Sequence, residues 1–146
     1  MHSEFEQITG LTLPEMLMDS LKTGRRVIGY EKWIPVSVYP LGEILEIWKR
    51  FMPWDNQTYF EYDQMAWSQE WDQRVKRHWC HRKWVLIGGN DLYNMYYYCD
   101  LDPTPFGIEG QIIYANMETG HMDWVGGDYT EFLARLSPRP CDNPSA

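Results

Sequence analysis

The sequence predicts an α+β fold, a single domain in which a mainly antiparallel, twisted sheet packs with helices. Three observations lead there. Between Trp84 and Val125, short runs rich in β-branched and aromatic residues are separated by turn-forming Gly, Asn and Asp, the pattern of neighbouring strands joined by tight turns. Two other segments, Leu41 to Phe51 and Tyr129 to Leu136, carry apolar residues at helical spacing. The length of 146 residues suits one domain, which can bury roughly 68–70% of the surface its unfolded chain exposes.

Gly10-Leu11-Thr12-Leu13-Pro14 predicts an extended lead-in, because the residue before proline is held out of the helical region and proline fits a helix's first turn. A short helix follows, with Met16, Leu17, Met18 and Leu21 as its apolar stripe and Lys22-Thr23-Gly24 as its stop. From Arg26 to Tyr39, Val27, Ile28, Tyr30, Trp33, Ile34, Val36 and Val38 predict one or two strands, with Pro35 keeping any strand there at an edge or breaking it. Ile44, Leu45, Ile47, Trp48 and Phe51 form one face of the next helix, and Pro53 ends it. A third helix is predicted from Asp63 to Lys76, with charges that pass from acidic to basic along its length.

Trp84 to Ile87 is then a strand, Gly88-Gly89-Asn90-Asp91 a turn, and Met95, Tyr97 and Cys99 the buried face of a second strand on which Tyr96 and Tyr98 point the other way. Leu101 points inward with Asp100 and Asp102 outward, and Gly107 and Gly110 let the chain turn back toward Gln111. Ile112 to Ala115 and Met122 to Val125 pair as a hairpin around Met117-Glu118-Thr119-Gly120. A last helix starts at the N-cap Asp128, with Glu131 completing a capping box and Tyr129, Phe132, Leu133 and Leu136 facing the core. The domain therefore spans residues 1–136, and residues 137–146, with three prolines, form a flexible tail.

Composition narrows the function classes. The net charge is −8, with 13 basic residues against 21 acidic ones, which argues against nucleic acid because phosphate contacts need clustered Lys and Arg. A basic partner would be attracted. Three cysteines, Cys80, Cys99 and Cys141, cannot all pair, and the acidic start MHSEFEQ is unlike a secretory leader, so the expectation is cytoplasmic. No stretch approaches the ~18 apolar residues of a membrane span. Most of the eight Trp and ten Tyr must pack in the core, but so many invite an exposed aromatic patch of the kind that favours protein binding.

Trp84-Val85-Leu86-Ile87-Gly88, Cys99-Asp100-Leu101-Asp102-Pro103, Gly107 through Gly110-Gln111-Ile112-Ile113 and Tyr129-Thr130-Glu131-Phe132-Leu133 form an ordered series. Gly10 to Pro14 and the helix from Leu41 to Trp48 join it. The series resembles the SUKH superfamily, which includes the Smi/Knr cell-wall assembly regulators of fungi and many bacterial immunity proteins. The resemblance implies an SMI/KNR-like α+β domain without enzymatic activity or cofactor, which binds and neutralises a cognate toxin of a bacterial polymorphic or contact-dependent system. Its alternative is a regulatory scaffold of the Smi/Knr type. No family residue carries over as a toxin contact, since those surfaces vary.

Candidate sites weigh against simpler readings. His78, Cys80 and His81 have the residue types of zinc ligands, but a structural site needs four and Cys99, His121 and Cys141 form no matching pair. No metal is expected, and the stretch suits a basic connector around a core Trp79. Asp100 and Asp102 could act as the acid and base of a hydrolase, although Asp beside Pro and Gly commonly only caps a turn. Cys99 suits a small buried hydrophobe better than a nucleophile. The candidate partner surface is the acidic aromatic cluster Trp54, Asp55, Tyr59, Glu61, Tyr62, Asp63, Trp67, Glu70 and Trp71, suited to a basic toxin domain. Exposed strand edges leave a homodimer open.

Overall fold

A computed structural model describes residues 4–24, 26–52, 57–58, 71–118 and 121–140. Six strands form one antiparallel sheet in the order β1-β2-β5-β6-β7-β8, where β1 is Val27–Glu31, β2 Ile34–Val38, β5 Trp84–Asn90, β6 Met95–Asp100, β7 Gln111–Asn116 and β8 His121–Gly126. A separate two-stranded ladder joins β3, Gln57–Thr58, to β4, His78–Cys80. The helices are α1, Glu4–Thr9; α2, Glu15–Leu21; α3, Leu41–Phe51; and α4, Tyr129–Arg135. The α+β class and antiparallel sheet expected from sequence are what the chain forms.

The β6 strand shows why helices sit on both faces. Its side chains alternate across the sheet, so Tyr97 meets Phe132 of α4 at 4.9 Å between ring centroids, whereas Tyr96 and Tyr98 face the other way, toward α3. The stripe read in α3 buries Ile44 and Leu45. The stripe read in α2 buries Leu17, Met18 and Leu21 but leaves Met16 exposed. In α4 the Asp128 carboxylate accepts the Glu131 amide hydrogen at 2.9 Å. The reciprocal bond of a capping box lands one residue early, from the Gly127 N–H to Glu131 Oε2 at 2.7 Å.

Several expectations change. The acidic N-terminus, left unassigned by its sequence, forms α1 and buries Phe5. Gly88 and Gly89 do not turn the chain: they continue β5, and the reversal falls on the 3-10 turn Asp91–Tyr93 and the left-handed Asn94. Their lack of a side chain serves close approach. A Cβ on Gly88 would lie 2.3 Å from the Ser37 carbonyl oxygen, where β2 crosses β5 through the pairs Ser37–Gly89 and Val38–Gly88. Pro35 neither breaks its strand nor confines it to an edge: β2 lies between β1 and β5, and Pro35, opposite Tyr30 of β1, lies beyond the β2–β5 pairs, where the Asn90 side-chain amide donates to its carbonyl at 2.7 Å.

The third predicted helix does not extend over residues 71–76. Trp71 instead bridges Met122 in parallel, extending the β8 edge, and residues 72–75 form a turn closed by the Val75 N–H and the Asp72 carbonyl. Local bonding wins over helical periodicity here: the Asp72 carboxylate accepts from the Arg74 backbone at 2.8 Å and from its guanidinium at 2.9 and 2.8 Å. Arg74 also lies over the Trp124 ring, 4.0 Å from its centroid, so this turn is fastened to β8. The opposite edge, β1, exchanges two backbone hydrogen bonds with Ser137. The remainder of the predicted helix, from Asp63 to Glu70, lies outside the described residues.

Candidate functional site

The Asp100-Leu101-Asp102-Pro103 segment comes to rest at the end of β6. Leu101 is buried, as its alternation predicts. Asp100 is not outward: its relative exposure is 0%. The chain leaves the strand at this residue, so its carboxylate folds back to cap the turn beyond it. Oδ1 accepts the Asp102 N–H at 2.9 Å and Oδ2 accepts a hydrogen from Gln111 Nε2 at 2.9 Å. Gln111, equally buried, donates its other amide hydrogen to the Arg74 carbonyl at 2.9 Å and accepts from the Ile108 N–H at 3.1 Å. These bonds fasten the loop from Leu101 to Gly110 to the turn around Arg74. Gly110, at φ +89°, reaches back to donate to the Asp100 carbonyl at 2.8 Å, a conformation that side-chain-bearing residues rarely adopt.

The two aspartates have opposite electrostatics. Burial pushes the Asp100 carboxyl above the usual range, against the pull of its bonds from Asp102 and Gln111. Asp102 is held below that range, first by the Lys76 ammonium at 2.8 Å and then by His81 Nε2 at 2.9 Å. His81 is therefore 7% exposed and bonded to a carboxylate, not part of the surface connector its neighbours suggested. Among the described residues no group of three or more His, Cys, Asp and Glu is placed to hold a metal ion; the side chains of His78 and Cys80, and all of Cys141, lie outside them. Cys99 is fully buried, and burial pushes its thiol up to about 12.

On the α3 face of the sheet lies a groove of about 480 Å³, within the roughly 300–1,000 Å³ common for binding sites. Trp48 and Phe51 of α3 line it from the helix side, with Trp84 and Leu86 of β5 and Tyr96 and Tyr98 of β6 beneath. These positions follow from local structure. Trp48 and Phe51 lie three residues apart, on one side of α3, while Tyr96 and Tyr98 are two apart on one face of β6. The Trp48 indole donates to the Arg82 carbonyl at 2.9 Å, tying α3 to the turn before β5.

Carboxylates stand around this aromatic groove. Glu43 and Glu46 from α3 and Asp91 from the turn after β5 line it beside Arg50, with Glu43 paired to Arg26 and Glu46 to Lys49. Tyr39, also in the lining, has its hydroxyl pushed up to about 12, first by burial and then by the Asp91 carboxylate, with Tyr96 and Glu43 adding to the rise. Tyr96 is likewise pushed up to about 12 by burial and by its bond to Asp91 at 3.0 Å.

Of the acidic aromatic cluster expected to face a partner, Trp54, Asp55, Tyr59, Glu61, Tyr62, Asp63, Trp67 and Glu70 lie outside the described residues. Trp71 lies within them and serves the fold: its indole donates to the Val75 carbonyl at 2.9 Å and the Arg77 guanidinium sits 5.1 Å from its ring. Sequence reasoning missed the groove because its lining comes from α3, β5, β6 and the turns between them. The available signal was the apolar face of α3 opposite the alternating tyrosines of β6.

Comparison with protein families places residues 3–135 within the match to the SMI1 / KNR4 family (SUKH-1). A comparison with curated proteins gave no match.

Proposed function

We propose that this chain, which belongs to the SMI1/KNR4 family (SUKH-1), is a protein-binding module that acts as an immunity protein. It binds a cognate toxin of a bacterial polymorphic or contact-dependent system one to one, in the cytoplasm, and covers that toxin's active site or substrate surface. The observation that carries the reading is the groove, in which large aromatic side chains, the residues that dominate protein interfaces, lie among carboxylates on a chain of net charge −8. Such a surface speeds encounter with a basic partner and disfavours an acidic one.

The Asp100 network supports binding over hydrolysis as the role of this domain. A general acid must reach its substrate, and Asp100 is sealed, with both oxygens engaged by its own chain. The Smi/Knr-type scaffold shares the binding role and differs in having a partner that is not toxic. Calorimetric titration of the purified chain with the protein encoded beside it tests the reading. One-to-one binding that weakens as salt rises is expected; the absence of binding to that protein opposes it.

A further inference from the structure

At the edge strand β1, the pairing with β2 fixes which backbone groups face outward. Tyr30 stands opposite Pro35, which has no N–H, so the N–H and carbonyl of Tyr30 point away from β2, and by alternation those of Ile28 do too. Tyr30 directs both groups to the chain beyond α4: its N–H donates to the Ser137 carbonyl and its carbonyl accepts the Ser137 N–H, each at 2.8 Å. The packing around Gly29 favours the same crossing. A Cβ there would lie 2.7 Å from the Leu136 Cβ, so only a bare backbone lets Leu136 and Ser137 lie so close to the strand. Ile28 remains uncovered. Its side chain is 59% exposed, and no described residue bonds its outward backbone groups.

We propose that the segment from Ser137 to Pro140 is an edge guard: by holding the outward groups of Tyr30 it closes β1 to a second copy of this chain and keeps the protein monomeric. An open edge that carries an exposed β-branched residue is a template for pairing with another strand, and the register of β1 suits its own copy. Antiparallel strands related by a two-fold axis at Ile28 set Ile28 opposite its equivalent and Tyr30 opposite Arg26 of the second copy, using outward-facing groups alone. With Tyr30 held by Ser137 in both copies, only the central Ile28 pair is left, too short for a stable ladder. The guard does not become a new edge itself. Pro138 and Pro140, which follow Ser137 and are exposed, have no N–H to offer a further strand. The inference is independent of what the domain binds.

Light scattering over a range of concentrations, with hydrogen exchange at the Tyr30 and Ile28 amides followed by NMR, tests the guard in three proteins: the full chain, a chain ending at Leu136, and Ser137→Pro. The last removes the N–H that Tyr30 accepts. It suits the local backbone, because Leu136 is already extended, at φ −82° and ψ 131°, as a residue before proline prefers to be. The full chain should be monomeric, with a slow Tyr30 amide and a fast Ile28 amide. In dilute solution both variants should exchange the Tyr30 amide faster, the truncated chain by roughly tenfold or more. Both should also associate about tenfold more tightly than the parent, with the Ile28 amide slowing as concentration rises. Adding Ile28→Lys should return either variant to a monomer, since like charges would then face each other across the two-fold axis. A folded variant of either kind that stays monomeric overturns the inference. So does association that survives Ile28→Lys, or a parent that associates as strongly as its variants.

Discussion

Replacing Gln111 with leucine should unfasten the loop that succeeds β6 without changing the volume of the site much. Gln111 is 0% exposed and makes three bonds: to the Asp100 carboxylate at 2.9 Å, to the Arg74 carbonyl at 2.9 Å and from the Ile108 N–H at 3.1 Å. Leucine leaves all three partners without that side chain. Each buried polar group so stranded costs about 1–3 kcal/mol, and the Leu101 to Gly110 loop can relax enough for water to recover part of it. The net loss is about 3–5 kcal/mol, or roughly 6–20 °C in melting temperature for a chain of this size. Urea unfolding followed by tryptophan fluorescence measures it. A second arm fixes the cause. Asp100 already titrates above its ordinary range, so its ionised form costs stability above the folded pKa, and that cost disappears as pH falls toward the unfolded value. Without Gln111 the upward shift grows, and the gap between Gln111→Leu and the parent should narrow on acidification from neutral pH. A variant within about 1 kcal/mol of the parent, or a gap that is constant with pH, would refute the role assigned to this network.

Other perturbations probe the remaining elements. Gly88→Ala places a methyl group against the Ser37 carbonyl oxygen at 2.3 Å and the Val38 Cα at 3.1 Å; because both are backbone, stability should fall by about 1–3 kcal/mol or more in urea unfolding. Asp128→Ala removes the cap on the Glu131 N–H and should cost about 1 kcal/mol, seen as a lower melting temperature. Asp72 and Asp102 are held below the usual carboxylate range by Arg74 and by Lys76, so their stabilisation is present above the unfolded pKa and is lost as pH falls through the folded one. Asp72→Asn and Asp102→Asn should each flatten the acid-side decline in melting temperature. With Cys80 and Cys141 replaced by serine, Cys99 should react with a thiol reagent at mildly alkaline pH only as fast as the chain opens, because its thiol is pushed up to about 12.

The elements that sequence revealed are those whose signal is local. Period-two burial in Met95, Tyr97 and Cys99, the apolar stripe of α3 and the Asp128 cap each depend on neighbours within a few residues, and each is present. Gly88 and Gly89 misled because the same lack of a side chain serves a turn and a close strand crossing, and only the position of β2 distinguishes them. Asp100 looked outward because alternation puts it on the face opposite Cys99; its burial depends on Gln111, eleven positions away. The helix expected over residues 71–76 gave way to side-chain bonds that periodicity cannot register. The groove was least legible of all, since Trp48 and Tyr96 meet only after the sheet has formed.

We propose that this chain neutralises a toxin by binding it. Growth of cells that express the product of the adjacent reading frame, with and without this chain, tests that most directly. The neighbour alone is expected to arrest growth and co-expression to restore it, with the two proteins recovered as a one-to-one complex. Continued arrest in the presence of the folded chain, or a neighbour that is harmless by itself, would contradict it.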